Sequence, residues 1–166
     1  MNYTVRKIQS EEVEEALALA LEVFMQFEAP AYKPEGTETF KRDIIQNKEF
    51  AEKCRKGVLP IYAAFDKGKI IGIIGLGAIR HDRIHINLVF TKREYHRCGV
   101  ASGIFKFLLE DILKENPMLK RITLNSSPYG LPFYLHLGFL PLSEETEKDG
   151  IRYTPMEYRI MKKELA

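Results

Sequence analysis

Between residues 84 and 115 the spacing of apolar positions changes once. Ile84, Ile86, Leu88 and Phe90 alternate with His85, Asn87 and Val89, the period of two expected of a strand whose faces differ. Beyond Gly99 the period lengthens. Ala101, Ile104, Phe105, Leu108, Leu109, Ile112 and Leu113 fall on one stripe of a 3.6-residue helix, with Ser102, Lys106, Glu110, Asp111, Lys114 and Glu115 on the other side. Asn116-Pro117 ends it. A strand that enters a helix through a turn holding Gly99 and Ala101 leaves backbone N–H groups unpaired at the positive end of the helix dipole, which suits a phosphate or diphosphate.

The remaining elements are arranged around this unit. Residues 3–8 predict a first strand, and Ser10 is read as the N-cap of a helix to about residue 27, with Val13, Leu17, Ala20, Leu21 and Phe24 buried. Residues 29–36, rich in Pro and Gly, read as a loop, and a second helical region from about 37 to 56 breaks near Asn47. Strands 61–65 and 70–79 form a hairpin through Asp66-Lys67-Gly68-Lys69. Gly72, Gly75 and Gly77 lie inside its second arm; with no helix pattern following, they imply bulges and close packing rather than a phosphate loop. Residues 121–125 predict a strand parallel to 84–90, reached by a right-handed crossover. A short helix from about 131 to 136 ends at Gly138, an extended run resumes at Phe139, residues 143–150 read as a loop, and 152–161 form the last strand. The order implies a single α+β domain spanning residues 1–166.

Composition narrows the function. The 166 residues, 45% hydrophobic, suffice for one full core. Basic and acidic residues, 25 and 23, are interspersed to a net charge of +2, which gives no footprint for nucleic acid or a membrane surface. Cys54 and Cys98 are the only cysteines, so neither a disulfide framework nor a metal site is expected. No apolar run is long enough for a signal peptide or a bilayer span, and a reducing cytoplasm is the expected compartment.

Two stretches resemble the GNAT superfamily of N-acetyltransferases. His96-Arg97-Cys98-Gly99-Val100-Ala101 is similar to its acyl-coenzyme A signature, Gln/Arg-x-x-Gly-x-Gly/Ala, with His96 where the family has Gln or Arg and Arg97 able to supply the charge. Phe133-Tyr134-Leu135-His136-Leu137-Gly138-Phe139 looks like the family's closing segment, in which a Tyr four residues before Gly-Phe faces the coenzyme thiol. The resemblance implies a mixed central sheet of about six to seven strands flanked by about four helices, and direct transfer of acetyl from acetyl-coenzyme A, as co-substrate, to a primary amine. It places the coenzyme against Val89, Phe90, Thr91 and Asn125, with its diphosphate at His96, Arg97, Cys98, Gly99, Val100, Ala101 and Ser102. Tyr134 would protonate the leaving thiolate. His85 falls where histone-type members carry a catalytic Glu and is the expected base, with a relayed water chain as the alternative. Asn87, Glu28 and Tyr32 would contact the acceptor, a small-molecule or peptide amine. The competing reading is a non-catalytic acyl-coenzyme A sensor on the same fold, which needs no acid at Tyr134. The free edge of the last strand, with Tyr153 and Tyr158, could pair with a second copy.

Overall fold

The computed structural model describes residues 2–161. Its strands are β1 (Thr4–Lys7), β2 (Ile61–Asp66), β3 (Lys69–Arg80), β4 (Arg83–Thr91), β5 (Arg121–Ser126), β6 (Leu140–Pro141), β7 (Thr146–Lys148) and β8 (Ile151–Arg159). They pair in the order β1-β2-β3-β4-β5-β8-β6, with β7 also on β8. The helices are α1 (Val13–Val23), α2 (Pro34–Phe40), α3 (Lys48–Arg55), α4 (Val100–Glu115) and α5 (Leu131–Leu137). Two apolar layers hold them to the sheet. On one face Val100, Ile104 and Leu108 of α4, together with Phe139, meet Tyr62, Ile74, Ile84 and Ile122. On the other, Val13, Ala16 and Ala20 of α1, Phe40 of α2 and Cys54 of α3 meet Ile61, Ile73, Leu88 and Phe90. Helices therefore cover both faces, and the parallel pairing expected between β4 and β5 is present, from Arg83↔Arg121 to Ile86↔Leu124.

Several local expectations give way to specific contacts. Gln9, not Ser10, caps the first helix: the Glu12 carboxylate accepts from the Gln9 N–H at 2.8 Å and from Arg6 at 2.8 Å, closing a capping box around a 3₁₀ turn, Ser10–Glu12. The α1 ladder runs on through a π turn, Phe24–Glu28. Residues 29–36 are largely helical, because Pro34 stands at the start of α2, where its missing N–H removes no bond. The break near Asn47 is present, with Asn47 Oδ1 accepting from the Phe50 N–H at 3.0 Å as the cap of α3.

Residues 143–150 hold a strand. Thr146, Glu147 and Lys148 pair with Tyr153, Arg152 and Ile151 through a turn in which Asp149 (φ 53°) and Gly150 (φ 81°) are both left-handed. With β6 on Met156 and Glu157 and β7 on residues 151–153, most of the outer side of β8 is occupied, and the free edge expected at Tyr153 is covered by Thr146. Among the described residues the sheet thus has eight strands and there are five α-helices, one of each more than expected, in the α+β arrangement the sequence implied.

The departure that matters most for the site is in β4. Gly75 pairs with Leu88 and the next β3 residue, Leu76, pairs with Ile86, which leaves Asn87 as an unpaired bulge. The extra residue exchanges the faces of the strand. Ile84 and Ile86 pack under α4, whereas Leu88 and Phe90 pack under α1 and α2, so the single buried face implied by alternation is in fact two half-faces.

Candidate functional site

The bulge also parts β4 from β5. Their ladder stops at Ile86↔Leu124; beyond it β4 stays on β3 up to Thr91↔Gly72, while Asn125 and Ser126 follow β8. The edge of β4 from Asn87 to Thr91 is therefore left without a neighbouring strand on the β5 side. A cavity of about 610 Å³ opens along Val89, Phe90 and Thr91. Its remaining walls are the β4–α4 loop, the first turn of α4, the segment after β5, α5, and the end of the first helix at Phe27 and Glu28.

The loop into α4 is shaped by two left-handed residues, Gly99 (φ 75°) and Arg97 (φ 61°). For Arg97 that conformation costs about 1 kcal/mol. Tertiary bonds hold the loop. The Tyr95 hydroxyl donates to Asp66 at 2.7 Å, the Tyr3 hydroxyl donates to the Gly99 carbonyl at 3.2 Å, and His96 Nε2 lies 2.6 Å from the Thr91 carbonyl. A carbonyl only accepts, so Nε2 carries the proton and Nδ1 can accept the Tyr129 hydroxyl at 3.3 Å. Gly72 lets α4 seat closely on β3, since a β-carbon there would stand 3.0 Å from Val100 Cγ1. No side chain caps α4, and the first ladder bond runs from the Gly103 N–H to the Gly99 carbonyl at 2.9 Å. The N–H groups of Val100, Ala101 and Ser102 precede that bond, and all three residues line the cavity. A β-carbon on Gly99 would meet nothing within 4 Å. This arrangement of uncapped amides beside open space fits a diphosphate.

Across the cavity Tyr134 rises from the first turn of α5, its ring against Phe133 at 5.4 Å and Phe139 at 5.9 Å. Its hydroxyl makes no hydrogen bond among the described residues. Burial first, and then the charge of Glu28, raise its pKa above the usual phenol range, so it holds its proton. Glu28 shares the cavity wall. Burial lifts its carboxyl to about 7, against a hydrogen bond from Tyr32 that holds it down.

The sequence-derived site separates into two groups. Val89, Phe90, Thr91, His96, Arg97, Gly99, Val100, Ala101, Ser102, Tyr134 and Glu28 share one cavity. His85, Asn87, Cys98, Asn125 and Tyr32 are outside its lining. His85 lies on the opposite side of the strand from Ile84 and Ile86, and the β4 bulge puts the cavity residue Val89 on the side of those two; His85 Nδ1 is 2.9 Å from Thr123 Oγ1 and its pKa is lowered by burial and then by Arg83. Asn87 is the bulge itself, Asn125 is exposed in the pairing with Pro155, and the Cys98 thiol is exposed, donating to the His96 carbonyl at 3.5 Å. Tyr32 stands beside Glu28, whose charge adds to the burial that raises the phenol's pKa.

Sequence reasoning missed Phe27 and Tyr129. Phe27 packs on His96 at 4.6 Å and on Tyr129 at 5.0 Å, which forms an aromatic bridge between the first helix and the two sides of the wedge that opens where β4 and β5 part. Neither residue has a local signal, since one ends a helical stripe and the other sits in a turn. Among the described residues no group of His, Cys, Asp and Glu is placed to hold a metal ion, and no helix is long and apolar enough to cross a membrane.

Comparison with known proteins follows the same lines. A family model described as an acetyltransferase (GNAT) domain matches residues 28–160. No curated protein matches the chain. Among solved structures, the PaiA N-acetyltransferase from Thermoplasma acidophilum in complex with coenzyme A is similar at a TM-score of 0.76 and 22% identity, covering 96% of this chain and all of that one (100%). A GCN5-related N-acetyltransferase from Rhodopseudomonas palustris gives 0.77 at 15% identity, covering 96% of this chain and 97% of that one. The ribosomal-protein-S18-alanine N-acetyltransferase from Escherichia coli gives 0.64 at 14%, covering 96% and 94%.

Proposed function

Since the chain belongs to the GNAT acetyltransferase family, we propose that it moves an acetyl group from acetyl-coenzyme A directly to a primary amine, with Tyr134 as the proton donor to the sulfur. The observation that carries this reading is the meeting, on one cavity, of the uncapped start of α4, the unpaired edge of β4 and the unpartnered Tyr134 hydroxyl. The amides of Val100–Ser102 and the Arg97 charge would hold the diphosphate. The freed edge at residues 89–91 offers backbone groups to an extended amide-bearing arm, and an N–H there would stabilise the oxyanion by about 3 kcal/mol. His96, bonded to Thr91 and Tyr129, serves to hold the loop, which leaves its neighbour's guanidinium as the positive group of the turn.

A phenol kept protonated by its surroundings is suited to giving a proton to a thiolate that the same burial makes more basic. A sensor that only bound the coenzyme would have no use for that hydroxyl. The test is thiol release from acetyl-coenzyme A with a panel of n-butylamine, spermidine, glucosamine and an alanine-initiated tetrapeptide, beside calorimetry with the coenzyme alone. Binding with amine-dependent thiol release is expected. Absence of coenzyme binding would refute the reading, and binding without turnover would favour the sensor.

A further inference from the structure

We propose that the Glu28 carboxylate is the general base of this reaction, taking the proton from the acceptor's ammonium group across the cavity from Tyr134. The inference rests on the acetyltransferase reading and deepens it. Among the described residues Glu28 is the sole carboxylate on the cavity wall, and the other acid–base groups there are phenols, imidazoles and Arg97. Its place is built by a π turn, Phe24–Glu28, closed by the Ala29 N–H on the Phe24 carbonyl. One extra residue in the ladder ends the regular stacking of α1 and sets Phe27 and Glu28 side by side on the wedge. Tyr32, from the next turn, faces the carboxylate and draws its pKa back toward the ordinary range.

A primary alkylamine with a pKa near 10.4 arrives protonated at neutral pH, so its proton has to leave before attack. A carboxyl that titrates near neutrality can take that proton and return it to solvent. The groups facing Glu28 are Tyr32 on its own segment and Tyr134 from α5, with Arg152 and Glu145 of the β7–β8 region beyond Tyr32. Tyr95, His96, Arg97, Tyr129 and His136 line other parts of the same cavity. The two key groups are coupled in a useful sense. The Glu28 charge adds to the burial that holds the Tyr134 proton, so once Glu28 gains a proton the phenol becomes a stronger acid.

The protons balance. The ammonium gives one to Glu28, and the amine lone pair forms the C–N bond. The C–S bond then breaks as Tyr134 protonates the sulfur, and the second nitrogen proton restores the Tyr134 hydroxyl. Glu28 later releases its proton to water, so each turnover yields amide, thiol and one proton.

The test compares Glu28→Gln and Glu28→Asp with the parent protein, using the fastest amine of the panel above and following kcat/KM from about pH 5.5 to about pH 9. The parent should show an ascending limb centred near pH 7. Glu28→Gln should lose about 10²–10⁴-fold in kcat and have its limb displaced toward the amine's own pKa, while Glu28→Asp keeps the limb at a reduced rate. An unchanged limb in Glu28→Gln overturns the assignment, whether or not the rate falls, because a positioning role alone would leave it in place. Calorimetry separates the two readings. A parent protein that does not bind acetyl-coenzyme A fails as an acetyltransferase, whereas one that binds it but turns over no amine has no proton for Glu28 to take, which refutes the base as well.

Discussion

Substituting Gly99 with valine isolates the proposed diphosphate site from the fold. Gly99 has φ 75°, a conformation in which a side chain costs about 1–2 kcal/mol, yet a β-carbon there meets no protein atom within 4 Å. The folded state therefore bears only the backbone penalty, and for a chain of this size that lowers Tm by about 2–8 °C. The loss of binding should be far larger. Hydrogen bonds from an amide to a charged oxygen contribute about 1.5–3 kcal/mol each. A branched side chain beside the N–H groups of Val100–Ser102 that keeps two of them from the ligand would cost about 3–6 kcal/mol, or about 10²–10⁴-fold in Kd.

Gly57 supplies the control. It has the same φ, 75°, and the same empty surroundings, but is outside the cavity lining. Gly57→Val should lower Tm by a similar amount and leave binding untouched. The assays are thermal unfolding and titration calorimetry with coenzyme A. If Gly99→Val bound coenzyme A within about threefold of the parent while showing the expected Tm loss, the first turn of α4 would not be the diphosphate site.

Three further outcomes are expected. Tyr134→Phe should lower kcat at least tenfold with unchanged coenzyme affinity; full turnover would reduce Tyr134 to a packing residue. Phe139 is 0% exposed, touching Tyr134, Phe105 and Tyr158. Phe139→Ala should cost about 3–5 kcal/mol in denaturant unfolding and reduce kcat as Tyr134 loses its support, with most of the stability regained in Phe139→Leu. Glu28 should weaken the fold as pH rises. Its carboxyl goes from 4.5 to about 7 on folding, so between those values the folded state binds a proton that the unfolded state has released. Stability then falls across that window by about 3 kcal/mol in all, and Tm measured at pH 5 and pH 8 should differ less in Glu28→Gln than in the parent. Equal differences would show that the carboxyl is not buried in this way.

The turn into α4 and its helix were legible in the chain because their signals are local. The period of two gives way to 3.6 at Gly99, and the N–H groups freed by a helix start belong to that start whatever packs around it. The short helix that carries Tyr134 was legible through its Gly138 cap, whereas the role given to Tyr134 came from the resemblance of residues 133–139 to the family's closing segment. The β7–β8 hairpin had a readable signal in Asp149-Gly150, which the polarity of residues 143–150 obscured.

His85 shows where local signals stop. Alternation placed it with Val89 on one face of β4, and one unpaired residue, Asn87, sets the two on opposite sides. A bulge is fixed by register against the neighbouring strand, and register is a property of two strands rather than of either. The chain by itself determined most of the strands and helices, though not β7 or the helical turns at residues 29–36, and where α4 begins, with its first amides free. Tertiary structure decided that β4 and β5 part after Ile86, that Phe27 and Tyr129 bridge the gap, and that a glutamate some hundred residues from Tyr134 in sequence shares its cavity. Those outcomes depend on strand register and on desolvation, and both arise only when distant segments come together.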